Sequence, residues 1–110
     1  MIKVGRNITQ SISASGTANG AAIPMSKAYT FSAETTIALG SATGVTVCLQ
    51  KSNTGTTTNW VNDGAPVSVT ASGTYVLEKS PPTTIFMRIA YVVGTGTISA
   101  TTVLVTQEQY

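Results

Sequence analysis

Apolar residues recur at every second position along most of this chain. Tyr29, Phe31, Ala33, Ile37 and Leu39 share one parity; so do Val45, Val47 and Leu49, and so do Ile85, Met87, Ile89, Tyr91 and Val93, with Arg88 on the opposite one. A period of two is the signature of a strand with one face buried and one in water. Thr, Ser, Val and Gly dominate, while the straight-chain helix formers are thin, so nothing competes for the α-helical state. Turn-forming clusters cut the alternation at short intervals: SGTANG, LGSATG, SNTG, NDG, ASG, SPP and GTG. The pattern predicts strands near residues 7–13, 20–24, 28–38, 44–51, 66–70, 74–78, 84–93 and 96–106. Two hairpins are predicted, one from Val67 to Leu77 turning at Ala71-Ser72-Gly73, the other from Ile85 to Val105 turning at Gly94-Thr95-Gly96. Pro81 and Pro82 lack the backbone donor a ladder needs and mark a connection. The expected fold class is all-β, an antiparallel β-sandwich of Ig-like or jelly-roll type with seven to eight short strands.

At 110 residues the chain reads as a single domain, 1–110, able to bury about 65% of its unfolded surface. Residues 1–6 fall outside any predicted hairpin and read as an N-terminal arm, with Ile2 and Val4 as candidate partner contacts. Charged residues make up 9% of the chain, well under the usual ~25%. A surface so sparsely charged suits contact with neighbours better than life as a concentrated free monomer. The six basic residues are scattered singly, with no run to follow a phosphate backbone, so nucleic acid is not an expected partner. The N-terminal MIKVGRNITQ has no apolar core of a signal peptide, and no apolar run approaches the ~20 residues that span a bilayer. The expectation is a soluble product made in the cytoplasm, with no membrane partner and with the sequon Asn7-Ile8-Thr9 incidental.

Catalytic chemistry finds few footholds. There is no histidine, and Cys48 is the single cysteine, which excludes an intrachain disulfide and the common transition-metal ligand sets. Cys48 lies in the alternating run Val45–Leu49 and reads as a buried, inert thiol. The carboxylates Glu34, Asp63, Glu78 and Glu108 lie in different elements; Glu78 and Asp63 are within reach of meeting across a sheet, but nothing in their spacing favours a glycosidase pair. Asp63-Gly64 reads as a turn, one carboxylate being too few for calcium. No cofactor is expected, and the chain reads as non-enzymatic. Trp60, the sole tryptophan, follows a Thr/Asn/Ser/Gly loop. It reads as a core residue, since a buried indole can organise both sheets of a small domain; a ligand platform and a subunit contact are the alternatives.

The stretch LQKSNTGTTTNWVNDGAPVSVTASGTYVLEKSPPTTIFMRIAYVVGTGTISATTVLV resembles the small β-sandwich virion proteins of tailed bacteriophages. The positions that carry the resemblance are Ser52, Asn53, Gly55, Trp60, Val69, Thr70, Ala71, Gly73, Tyr75, Phe86, Met87, Arg88, Ile89, Gly96 and Thr97. They cover about residues 44–106; residues 1–43 resemble nothing comparable. The resemblance implies a virion structural protein made in the host cytoplasm: a capsid decoration (cement) protein, a head-fibre base or a tail accessory protein. Implied partners are the major capsid protein or other virion proteins, with the chain itself a homo-oligomer, a trimer or dimer. A carbohydrate- or receptor-binding module of a tail or head fibre is the alternative.

Overall fold

The computed structural model describes residues 3–25, 28–56, 59–79 and 84–109. They form an antiparallel β-sandwich of eight strands: β1 (Lys3–Asn19), β2 (Ile23–Pro24), β3 (Ala28–Ala38), β4 (Val45–Ser52), β5 (Val61–Asn62), β6 (Val67–Val69), β7 (Gly73–Lys79) and β8 (Phe86–Gln109). All belong to one sheet, which folds over on itself to make both layers.

The long strands β1 and β8 are the spine. β1 pairs along one edge of β8, from Lys3 opposite Gln109 to Asn19 opposite Ala90. Along the other edge, residues 86–93 of β8 pair with β4 and residues 99–108 pair with β3. Ala14 lies opposite Ile98 but Gly16 lies opposite Val93, so one residue of β1 faces the four residues 94–97 of β8. The excess is three, an odd number, and side chains alternate faces with period two. The buried set of β8 therefore switches parity, from Met87, Ile89, Tyr91 and Val93 to Ile98, Ala100, Thr102, Leu104 and Thr106. The sheet bends at this bulge, bringing one half (β4 with β5 and β6) over the other (β3 with β7).

Neither predicted hairpin forms. Gly94-Thr95-Gly96 sits between two alternating runs and so mimics a turn, yet β1 backs both runs and the chain carries straight on as one strand of 24 residues. Around Ala71-Ser72, β6 leaves to pair with β4 while β7 pairs with β3; this turn is the corner where the chain crosses between halves. Ser72 Oγ accepts from the Leu39 amide at 3.1 Å and the Tyr75 hydroxyl donates to Ala71 O at 2.6 Å, which holds the corner.

The predicted apolar faces are otherwise the observed core: Phe31, Ala33, Ile37, Val45, Val47, Leu49, Met87, Ile89, Tyr91 and Val93 are all buried. Burying each large apolar side chain stabilises by about 1.5–3 kcal/mol. Ile85 departs from the pattern at 54% exposure; it precedes β8, and its amide donates to Asn53 Oδ1 of the Trp60 loop. At the centre of the core sits a closed ring of three hydroxyls. Thr35 Oγ1 lies 2.9 Å from Tyr91 OH, Tyr91 OH bonds Thr102 Oγ1, and Thr102 Oγ1 donates to Thr35 Oγ1 at 3.0 Å. Each hydroxyl has one proton to give, so the ring can satisfy all three donors, and it ties the β4 half to the β3 half from inside.

Candidate interaction surface

Trp60 does not enter the core. It is half-buried, and its ring lies on the outer face of the β4 half, 4.2 Å beneath the guanidinium carbon of Arg88. The loop that delivers it is ordered by its own short polar residues. Ser52 Oγ, buried at the end of β4, accepts from the amides of Thr54 and Gly55, both at 3.1 Å, the local side-chain-to-backbone bonding for which Ser and Thr favour turns. The indole Nε1–H donates to Thr56 O, so the ring is fixed at its polar edge as well as on one face.

From Arg88 the bonding continues across the sheet. Arg88 Nε donates to Gln50 Oε1 at 2.8 Å, and Gln50 Nε2 donates to Asn62 Oδ1 at 3.1 Å. Burial pulls the Arg88 guanidinium down from its usual pKa, but such a group keeps its charge at neutral pH. The cation–π contact contributes about 0.5–1 kcal/mol at a partly exposed site. This arrangement is a chain of side chains that hold each other.

The candidate chemical groups are placed as follows. Cys48 is buried on β4; its thiol donates to Leu49 O at 3.1 Å, and burial, its largest influence, pushes its pKa up. Reaction of this thiol with a disulfide reagent in native protein is expected to be at least about 100-fold slower than in urea-unfolded protein, because access requires a local opening of several kcal/mol. Equal rates would show the thiol open to solvent. Asp63 and Glu78 line one open groove of about 250 Å³ together with Leu49, Val67, Val76 and Leu77. Asp63 lies 3.7 Å from Lys51 Nζ, so its carboxylate already has a cationic partner. Glu34 is exposed on β3, and the side chain of Glu108 lies outside the described residues. No group of three or more metal-ligating side chains occurs among the described residues.

The segment read as an arm is joined to the sheet from Lys3 onward: Val4 lies opposite Glu108 and Arg6 opposite Thr106 in the β1–β8 ladder. Ile2 lies outside the described residues, as does the side chain of Val4. The Trp60–Arg88 stack joins two residues 28 positions apart in the sequence (88 − 60), and alternation does show Arg88 on the outer face, which is the signal that pointed there.

These features define an all-β structural framework with one rigid polar face. No family model and no curated protein matches the sequence. Among solved structures, the fold is similar to that of a protein from Bacillus endospore appendages, which form a novel family of disulfide-linked pili, at 12% identity over 97% of this chain and 88% of that one (TM-score 0.63). It is similar also to the SPBc2 prophage-derived protein YomS, at 11% identity over 96% of each chain (TM-score 0.61). At these identities the likeness is one of fold.

Proposed function

We propose that this chain is a non-enzymatic structural protein of a phage virion, a decoration (cement) protein that binds the outer surface of the capsid and braces the shell. The observation that carries the reading is the outer face of the β4 half, where Trp60, Arg88, Gln50 and Asn62 are already held by one another. Side chains ordered in advance lose little freedom on contact, so a modest patch can bind usefully when repeated over a lattice. The near full-length likeness in fold to a prophage-derived protein and to an appendage protein supports a structural role. The low charge density suits close packing of many copies. Each copy bridges neighbouring capsid subunits, with Ile2 and Val4 of the N-terminal segment as contact residues. The disulfide linkage of the appendage pili has no counterpart here, because the one cysteine is buried and a single cysteine joins at most two chains.

Purified protein mixed with capsids that lack it is expected to co-sediment with them and to raise the temperature at which they rupture. Deleting residues 1–6 is expected to weaken that binding about 10-fold or more, given the loss of two apolar contacts, while the β1–β8 ladder from Asn7 onward keeps the chain folded, with a cooperative unfolding transition. Full-strength binding by the truncated chain rules out the Ile2/Val4 contact, and absence of co-sedimentation by the intact chain rules out the decoration role. The position of Trp60 outside the core keeps one other reading in view, a glycan- or receptor-binding module of a fibre. Against it, the indole already has Arg88 on one face and its N–H committed to Thr56. A shift of Trp60 fluorescence on adding glycans would favour the fibre module.

A further inference from the structure

We infer that the free edge of β1 is a self-association surface, on which two copies pair antiparallel about a two-fold axis passing through Gln10. Among the described residues β1 pairs with β8 alone, so its other edge presents unpaired amides and carbonyls along the length of the molecule. Open edges are normally guarded by shortness, charge, proline or a bulge. The rest are guarded in that way: β5 and β6 are two and three residues long, and β7 ends in Glu78-Lys79. In β1, no charged residue and no proline occurs from Asn7 to Asn19, and the register is unbroken from Lys3 to Ala14. The stretch 7–14 is therefore a ready template for another strand.

The sequence of that stretch selects a copy of itself as the occupant. With Gln10 opposite Gln10, Thr9 falls opposite Ser11, Ile8 opposite Ile12, Asn7 opposite Ser13 and Arg6 opposite Ala14. Paired positions sum to an even number, so the inward parity of one strand continues into the other, whereas a one-residue slip would reverse the faces. Ile12 packs against the core, and this register sets an isoleucine opposite it in sequence, the kind of cross-strand pair that stabilises sheets. A two-residue slip in either direction puts glutamine opposite isoleucine. The two Arg6 residues lie eight positions apart along the paired strands, about 27 Å at ~3.4 Å per residue, beyond the ~8 Å screening length in physiological salt. Beyond Ala14 the β1–β8 register shifts at the β8 bulge, where the sheet bends, which ends the ladder. A two-fold pairing uses up both edges and closes as a dimer. The inference does not rest on the capsid reading and is tested on the purified chain.

Sedimentation equilibrium of the full chain is expected to show a monomer–dimer equilibrium. Thr9→Cys/Ser11→Cys is expected to give a disulfide-linked dimer under mild oxidation, and Ser13→Cys, whose equivalents lie six positions apart in this register, is not. Thr9→Lys/Ser11→Lys sets like charges opposite each other and is expected to raise the dimer dissociation constant about 10-fold or more with an unchanged far-UV spectrum; should that variant fail to fold, the crosslink decides. A chain that stays monomeric at high concentration overturns the proposal, including one whose β1 edge is protected from amide exchange only when capsid is added. A dimer that neither crosslinks through 9 and 11 nor weakens with the lysines also overturns it.

Discussion

Gly96→Ala is expected to destabilise the protein by about 2–5 kcal/mol, enough to remove a large part of the stability of a domain this size. Gly96 lies in the β8 bulge with φ of +84°, where an L-residue costs roughly 1–2 kcal/mol. A Cβ there would also come within 2.5 Å of Ser41 O and 2.7 Å of the Ala42 amide nitrogen. These are backbone atoms that cannot swing aside as a side-chain tip does, and such overpacking adds about 1–3 kcal/mol. The neighbouring contact is a further constraint, since the Thr97 amide donates to Ser41 Oγ at 2.9 Å. Gly16 is the internal control: its φ is +76°, but a Cβ there meets nothing within 4 Å, so Gly16→Ala is expected to cost only the conformational ~1–2 kcal/mol. Urea unfolding of both variants measures the difference. Equal losses would mean that the bulge does not press on the 41–42 turn, and that the sheet bends for some other reason.

Tyr91→Phe is expected to destabilise by about 1–3 kcal/mol, and adding Thr35→Val and Thr102→Val is expected to recover most of that loss. Removing the phenol leaves the two threonine hydroxyls bonded to each other and one buried proton without an acceptor, a defect of that size. The aromatic ring stays, so no cavity contributes. When all three hydroxyls become apolar groups of nearly the same shape, no orphan remains, and such replacements are close to neutral. The signature is therefore strong non-additivity, with a coupling of at least about 1 kcal/mol among residues that share one network. Three losses that simply add would show that each hydroxyl acts alone, and that the core contact between the halves is apolar only.

Both experiments probe the join between the two halves of the sheet, the part of the fold least legible from residue order. Strand content and the buried parity of β3, β4 and the first half of β8 follow from alternation, whereas Cys48 is buried although its parity is opposite to that of Val47 and Leu49. A strand exposes its faces in strict turn, and its neighbours in sequence are enough to reveal that. The hairpin expectations failed for a different reason. Gly94-Thr95-Gly96 and Ala71-Ser72-Gly73 have sound turn chemistry, but whether the chain reverses there depends on which strand lies alongside. In this fold β1, whose residues lie between 71 (Asn19 to Ala90) and 106 (Lys3 to Gln109) positions earlier, lies alongside both segments of β8. Trp60 departs from its expected core position for a similar reason. A large aromatic after a polar loop is usually buried, but a guanidinium on the outer face of a neighbouring strand offers its ring a second resting place.

By itself, the order of residues determined that this protein is made of strands, which side of most of them is dry, and that imidazole and paired-thiol chemistry are absent. Those properties are local or compositional, set by the two-residue repeat and by which side chains exist. Only the tertiary structure decided that one sheet makes both layers, that β8 runs unbroken through its glycines, and that Tyr91 meets Thr35 and Thr102. These depend on contacts between residues tens of positions apart, whose free energy arises when the two halves close and no single segment carries it.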